Sequence, residues 1–332
     1  GEVIGWLNAD DLYTPGAIER AVKAMLKNSE WCMLYGQGEH IDACDISIGD
    51  YPTRPPNTPL QAFADGCFIC QPTVFLRRQL LSSLDGLDES LKTTFDLELW
   101  LRIFQQHPNQ IGFIDLVQAK SRLHLACITQ SQRETVIREG MQVVAKYLGY
   151  CPIHWVRTYI DEIFADYPHG QKIEDIKEYL HEFIGSVSIY LSADGLEALN
   201  QLVKEDCRIQ LAKSDACLEI YPDGWLAKRA TLRVQSKIKH WGEVMLNGDH
   251  VAKCDKPLCL TVYSPDGTKR AYKIEKKENF VLHIALPEPE GLPAYWVYTI
   301  ESEGGFIPKD YEPGSEDDRQ LVCRINSLQL IA

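Results

Sequence analysis

The sequence lacks a long apolar run: no stretch approaches the roughly 20 residues of a membrane-spanning helix. Its opening, GEVIGWLNADD, lacks the basic region of a secretory leader. It lacks an excess of positive charge, with 34 Lys and Arg against 47 Asp and Glu and a formal net charge of −13. General nucleic-acid binding needs a basic face to displace phosphate counterions, so that class is disfavoured. Internal repeats and low-complexity tracts are absent. The eleven cysteines are an odd number without a framework spacing. Such usage suits a reducing compartment, so a cytoplasmic location is expected. An initial Met is also missing. The chain opens directly in Val3-Ile4-Gly5-Trp6-Leu7, which leads us to expect a missing N-terminal segment.

What is present is an ordinary globular balance, 45% apolar and 24% charged. A length of 332 residues favours two or more domains. An acidic protein still binds a nucleoside diphosphate when a divalent cation sits between the two negative partners. Cys67 and Cys70 form one C-x-x-C within GCFICQP. A single such pair is weak evidence for zinc or redox chemistry and reads better as two small residues flanking an apolar turn.

Residues 3–7 read as a buried strand that ends in the acidic turn Asn8-Ala9-Asp10-Asp11. Pro15 precedes an amphipathic helix over 17–27, whose apolar residues Ile18, Val22, Met25 and Leu26 recur at helical spacing. Residues 31–35 read as a strand, and 36–59 as loop because of Pro52, Pro55, Pro56 and Pro59. Residues 67–76 read as strand and 77–84 as a helix or turn. Leu97, Trp100, Leu101 and Phe104 mark a helix over 95–105, and 111–116 a strand. Helices are expected over 132–147, 155–164, 173–191 and 196–210. After Cys217 the period changes to short alternating runs, 230–234, 258–263, 280–285, 295–300 and 321–325, separated by turns such as Pro265-Asp266-Gly267. The expected organisation is an incomplete α/β domain over 1–130, a helical segment over 131–212, and an all-β, sandwich-like domain over 213–332.

Two carboxylates on a turn behind a strand are held at a sheet edge, where open α/β folds bind ligands. Their hard oxygens suit Mg²⁺ or Mn²⁺. A plainer role is capping the next helix. The full context GWLNADDLYTPGAI resembles family 2 glycosyltransferases of the GT-A fold, a Rossmann-like α/β architecture in which a strand delivers a DxD-like motif to the sugar-nucleotide site. The resemblance implies that Asp11 binds the divalent cation and that Asp10 lies near the ribose or the metal's water shell.

GLDESLKTTFDLELWLRI resembles the family's downstream acidic segment, with Asp96 at the position of the general base. The family often carries Glu-Asp there, whereas this chain has Phe95-Asp96. Glu98 is an alternative base, but its two-residue offset points it elsewhere on a helix. Asp96 also fits a helix cap, which is compatible with catalysis, and Arg102 reads as pairing with an acid. In Q-P-x-x-F-x-R-R, Gln71 contacts donor sugar or acceptor or is a satisfied loop amide, while Arg77 and Arg78 read as surface charges. Ser121-Arg122-Leu123-His124 resembles the family's R-x-H segment, which implies that His124 completes the metal site or touches the diphosphate. Trp6 reads as core or as support for a sugar ring.

YPDGWLAKRATLRV, Phe306-Ile307-Pro308 and Asp317-Asp318-Arg319 resemble an accessory β-domain of bacterial glycosyltransferases. Asp317-Asp318-Arg319 reads as a turn fixed by an Arg–carboxylate pair rather than a ligand site. Trp225, Trp241, Tyr295 and Trp296 are candidate platforms for glycan or a partner, each more ordinary as core.

The resemblance implies an inverting transfer from a nucleotide-diphosphate sugar to a glycan or glycolipid acceptor hydroxyl. It places the protein in polysaccharide or glycoconjugate synthesis, with peripheral association at the inner membrane face. It covers residues 1–130, and the family's N-terminal half is not in this sequence. The chain alone is therefore expected to lack most of the nucleotide pocket and to be inactive. Competing readings are a noncatalytic carbohydrate-binding or scaffold protein, and a sugar-phosphate nucleotidyltransferase. The F-D-x-E-L-W-L-R helix favours the transferase over the latter.

Overall fold

Alternation and apolar spacing organise the chain into two compact units, Gly1–Trp155 with Ile189–Ser192, and Val156–Ser188 with Ala193–Ala332. The computed structural model describes residues 1–166, 176–213, 215–236, 242–250, 257–275, 278–288, 291–292 and 294–331. It is a mixed α/β protein.

The first unit contains β1 (Val3–Gly5), β2 (Leu12–Tyr13), α1 (Ala17–Lys27), β3 (Met33–Ile41), β4 (Ser47–Asp50), β5 (Phe75–Arg77) and α2 (Arg78–Ser83). There follow α3 (Phe95–Gln106), β6 (Ile111–Arg122), α4 (Ile128–Ser131), α5 (Arg133–Leu148) and the start of α6 (His154–Asp166). The strands form one sheet in the order β1-β5-β3-β6-β2, with β4 added on β3. Only the central pair, β3 and β6, runs parallel; the other pairings are antiparallel. Ala21 and Met25 of α1 pack on Leu34 and Phe75 of the sheet. On α3, Leu97, Leu99, Trp100, Leu101 and Ile103 are buried.

Several expectations change here. β1 is an edge strand, half-buried rather than buried, because it pairs on one side alone, with β5. The segment expected to be loop after Tyr35 continues as strand to Ile41. Its glycines serve close approach. A Cβ on Gly36 would stand 2.5 Å from Gln118 Cγ, and one on Gly38 2.5 Å from both Cβ and Sγ of Cys70. Residues 67–76 are not one strand: Pro72 sits in a single turn of 3₁₀-helix over Gln71–Thr73, ahead of β5. Arg77 is no surface charge. Its Nε donates to Trp31 O at 2.7 Å and its Nη2 to Met25 O at 2.8 Å, at the carbonyl end of α1.

The second unit begins with the rest of α6 and continues through α7 (Ile176–Val187), α8 (Ala193–Glu205) and α9 (Cys207–Leu211). The expected helix over 173–191 has its first three residues outside the described ones. The expected helix over 196–210 is two helices, because the Asp206 carboxylate caps α9 by accepting from Arg208 N–H at 2.9 Å. The buried Arg208 is ion-paired to Asp206 at 2.6 Å and to Asp161 at 2.7 Å.

Among the described residues nine strands follow: β7 (Ala216–Leu218), β8 (Trp225–Ala227), β9 (Arg229–Ser236), β10 (Glu243–Asp249), β11 (Leu258–Tyr263), β12 (Lys269–Ile274), β13 (Asn279–Ala285), β14 (Ala294–Glu303) and, after α10 (Pro308–Tyr311), β15 (Leu321–Ile331). They form two antiparallel sheets, β13-β10-β15-β8 and β12-β11-β14-β9-β7. Every second residue of β10, β11 and β13 is buried. Val244, Leu246 and Leu282 of one sheet and Leu232, Leu260 and Ile300 of the other share a single apolar core. Arg319 pairs with Asp317 at 2.7 Å and with Asp223 at 2.8 Å. Trp296 is core, Tyr295 is exposed, and Trp225 packs edge-on against Phe306. Trp241 lies outside the described residues. Among the described residues no helix is long and apolar enough to cross a membrane.

Candidate functional site

The acidic turn is fixed by the end of β6. Leu12 and Tyr13 pair with Lys120 and Ala119, which brings the residue after Ser121 against the turn. Arg122 N–H donates to Asp11 Oδ1 at 2.9 Å, and Arg122 Nε donates to Asp10 O at 2.8 Å. The same guanidinium reaches Asp42 O at 2.7 Å and the Asp45 carboxylate. One arginine thereby ties the turn to the loop after β3.

From the other side Asn8 Nδ2 donates to Asp11 Oδ2 at 3.1 Å and to Gln71 Oε1 at 2.9 Å. Gln71 Nε2 in turn donates to Trp6 O at 2.7 Å. The Gln71 amide is thus held within the turn at both ends, by one bond at each. Asp11 is buried, and that burial raises its carboxyl above the ordinary carboxylate range, with the charge of Asp10 adding to the rise. Hydrogen bonds from Arg122 and Asn8 oppose it.

His124 lies at the mouth of the turn, its Nε2 3.1 Å from Asp10 Oδ2. Ala126 N–H donates to Nδ1 at 3.2 Å, which leaves the proton on Nε2, facing Asp10. In this arrangement both ring nitrogens are engaged, and His124 attends Asp10 rather than Asp11. Among the described residues no three of His, Cys, Asp and Glu stand together as a metal cage. A cation that shares its shell with a diphosphate needs only one or two protein carboxylates. Asp11 meets that need: each of its oxygens accepts one hydrogen bond and keeps a second lone pair. A cation would also offset the cost of its buried charge.

Asp96 lies in the first turn of α3, its Oδ1 accepting from Leu97 N–H at 2.7 Å. Burial pushes its carboxyl up to about 6, against the hydrogen bonds from its own and the Leu97 backbone. Thr94, not Asp96, occupies the cap position of α3. Glu98 is fully buried in a network instead of facing the site. Tyr147 Oη donates to its Oε1 at 2.5 Å and Lys146 lies 3.2 Å from the same oxygen. Arg102 Nη2 stands 2.7 Å from Oε2, an ion pair outside hydrogen-bond angles, as expected of an arginine paired with an acid.

The two acidic segments meet through aromatic rings. Trp6, two residues before Asn8, stacks on Phe95, the neighbour of Asp96, with centroids 5.5 Å apart and planes 13° from parallel. Trp6 is accordingly half-buried against the helix start, not in the sheet core. The C-x-x-C links the same two acids. Burial first, then the charges of Asp11 and Cys67, push the Cys70 thiol up. Burial first, then the charge of Asp96, push Cys67 up to about 12. Both thiols stay protonated at neutral pH, which disfavours redox or metal chemistry at this pair.

Two further residues lie here that the sequence did not single out. The His40 ring, on β3, packs against Tyr51 with centroids 5.0 Å apart and planes tilted by 47°. Burial lowers the His40 imidazole, while a Ser121 backbone hydrogen bond and the charge of Asp11 raise it. Tyr51 Oη donates to Cys67 O at 3.0 Å, and its own ionisation is pushed up by burial, then by Cys67, Cys70 and Asp96. Both lie in the stretch read as loop. The available signal was Gly36 and Gly38, which allow a strand to pass closely under Gln118 and Cys70.

No family model matches the chain. Over 137 residues it is 28% identical to a protein of Rickettsia bellii (strain RML369-C) named an uncharacterized glycosyltransferase, covering 37% of this chain and 19% of that relative. Over 208 residues it is 27% identical to an uncharacterized glycosyltransferase of Rickettsia prowazekii (strain Madrid E), covering 59% of this chain and 57% of the relative. The chain therefore spans between 19% and 57% of the length of these two relatives. Among solved structures, S. aureus TarS 1-349 in complex with UDP is similar at 15% identity over 60% of this chain and 62% of that one. Its TM-score of 0.37 is too low to carry a fold assignment.

Proposed function

We propose that the first unit is the acidic side of a glycosyltransferase site, in which Asp11 holds a divalent cation and Asp96 is the general base. The reading carries through to a family 2, GT-A, inverting enzyme that takes a nucleoside-diphosphate sugar. The single observation that carries it is the Trp6–Phe95 stack, which seats the start of α3 against the acidic turn. The relatives named glycosyltransferase support the reaction class. The sequence motifs supply the finer assignment.

In this mechanism the acceptor hydroxyl oxygen attacks the anomeric carbon. The bond from that carbon to the diphosphate oxygen breaks, and the diphosphate leaves with the electron pair. Asp96 takes the hydroxyl proton, a contribution of roughly 10²–10⁴ in rate. Mg²⁺ or Mn²⁺ would neutralise charge developing on the leaving group. Asp11 would hold that cation, and Arg122 and Asn8 orient the Asp11 oxygens. Asp10 faces the donor, with His124 steadying it, and Gln71 lies beside it with one amide proton and one oxygen lone pair left for the sugar. The acceptor is a glycan or glycolipid hydroxyl, and the setting is polysaccharide or glycoconjugate synthesis at the cytoplasmic face of a membrane.

The test is transfer from a panel of UDP- and GDP-sugars by the protein in its full encoded length. Asp96→Asn and Asp11→Asn should each lower the rate at least 10²-fold, the latter with loss of Mn²⁺ dependence. Unchanged transfer in both variants contradicts the proposal.

A further inference from the structure

We propose that Glu139, on α5, is a positioning residue for Asp96. The inference rests on the reading of Asp96 as the base. The first turn of a helix leaves N–H groups without intrahelical partners, and Thr94 at the cap of α3 forms no side-chain cap bond. Of those groups the Glu139 carboxylate takes only the cap residue's own N–H; its other bonds hold the two residues before it, from 45 to 47 residues upstream of Glu139. Oε1 accepts from Lys92 N–H at 2.9 Å; Oε2 accepts from Thr93 N–H at 2.8 Å, Thr93 Oγ1 at 2.7 Å and Thr94 N–H at 3.2 Å.

With a longer bond from Thr94 Oγ1 to Oε2 at 3.5 Å, five charge-assisted hydrogen bonds on three consecutive residues fix the backbone that enters the helix. A negative carboxylate at the helix N-terminus is also favoured by the helix dipole. Burial, the largest influence, pushes Glu139 up, and the bonds from Lys92, Thr93 and Thr94 together bring it below its ordinary value. It is therefore ionised wherever Asp96 titrates.

A second grip lies two turns along α5. Lys146 and Tyr147 hold Glu98 of α3. Asp96 sits between the two gripped points, Thr94 and Glu98. α5 is itself anchored, since Trp155 packs against Gly140, where a Cβ would stand 2.6 Å from the ring. Trp155 Nε1 is tied to Ala64 O at 2.7 Å. A rotation at Thr93 or Thr94 would move Asp96 relative to Tyr51 and Cys67, and would move Phe95 off Trp6. A misplacement of about 1 Å costs on the order of 10²-fold in rate.

The test is the titration of the Asp96 carboxyl carbon in protein labelled with ¹³C-aspartate, the resonance assigned by its loss in Asp96→Asn. Glu139→Gln replaces two acceptors by one and points an amide NH₂ at backbone donors. It should move the Asp96 midpoint from about 6 toward the ordinary range near 4 as water reaches the carboxyl. Glu139→Asp, which keeps the charge, should recover part of the shift. In the full-length protein, Glu139→Gln should lower kcat about tenfold or more, with KM for the nucleotide sugar unchanged. If Glu139→Gln does not fold, Thr93→Val, which loses one bond, should shift the midpoint in the same direction. An Asp96 midpoint unmoved in whichever variant folds, with only the melting temperature lowered, overturns the proposal. Retained transfer in Asp96→Asn would instead refute the base assignment, and the titration would still decide what Glu139 does.

Discussion

The backbone N–H of Arg122 donates to Asp11 Oδ1 across 111 residues of sequence, at 2.9 Å. The Arg122 guanidinium meanwhile holds Asp10 O, Asp42 O and the Asp45 carboxylate. The acidic turn is therefore not a free loop but the far end of a clamp that starts on β6. Arg122→Ala should destabilise the protein by about 2 kcal/mol, since hydrogen bonds to a charged donor are worth about 1.5–3 kcal/mol. Arg122→Lys should recover less than half, because an ammonium cannot span the fork of acceptors. Urea denaturation checks both.

This clamp shows what the sequence exposes and what it hides. The R-x-H segment was visible as a segment, and Asp10, Asp11, Gln71, His124 and Asp96 were each visible as residues of chemical interest. The helices over α1, α3 and α5 followed from apolar spacing, and the period-two strands of the second unit from alternation. What sequence spacing could not show was partnership: that His124 serves Asp10, that Gln71 is held through Asn8 and Trp6, and that Glu98 is buried with Tyr147. Those pairings join residues 49 to 114 apart in sequence. Glu139 was missed for the same reason, since nothing around it in α5 signals the helix start it holds. β3 was cut short because the prolines at 52, 55, 56 and 59 set the reading for all of 36–59, while Gly36 and Gly38 let the strand continue past close neighbours.

Asp96 should make stability depend on pH in a known direction. Its folded carboxyl ionises at about 6, against about 3.9 when unfolded. Between those values the folded chain keeps a proton that the unfolded chain has lost. The stabilisation is full below about 3.9 and disappears as pH rises through 6. Asp96→Asn should therefore raise stability at pH 7 by on the order of 1–3 kcal/mol. The difference between wild type and variant, measured by urea unfolding from pH 4 to 7, should grow with pH. A difference that shrinks with pH would show that the carboxylate is stabilised in the folded state.

Two glycines should respond oppositely to alanine. Gly38→Ala puts a Cβ 2.5 Å from Cys70 and should cost about 1–3 kcal/mol. Gly185, inside α7, has open space around its Cβ direction. Gly185→Ala should stabilise by about 0.4–1 kcal/mol. Thermal melts of the two variants check the signs.

In the second unit, Arg208→Ala should strip Asp206 of its buried partner and cost about 3–5 kcal/mol. The loss should persist at 1 M salt, since a buried pair is poorly screened. Chemical denaturation at low and high salt reads it. A loss under 1 kcal/mol would mean that water reaches the pair.

The central claim is that a cation held by Asp11 and the Asp96 carboxylate share one cleft. The most direct measurement is paramagnetic broadening of the Asp96 carboxyl ¹³C resonance by Mn²⁺ added with UDP, in the full-length wild-type protein and its Asp11→Asn variant. The account predicts a resonance that broadens in wild type and stays sharp in Asp11→Asn. A resonance that stays sharp in wild type at saturating Mn²⁺, or that broadens equally without Asp11, contradicts it.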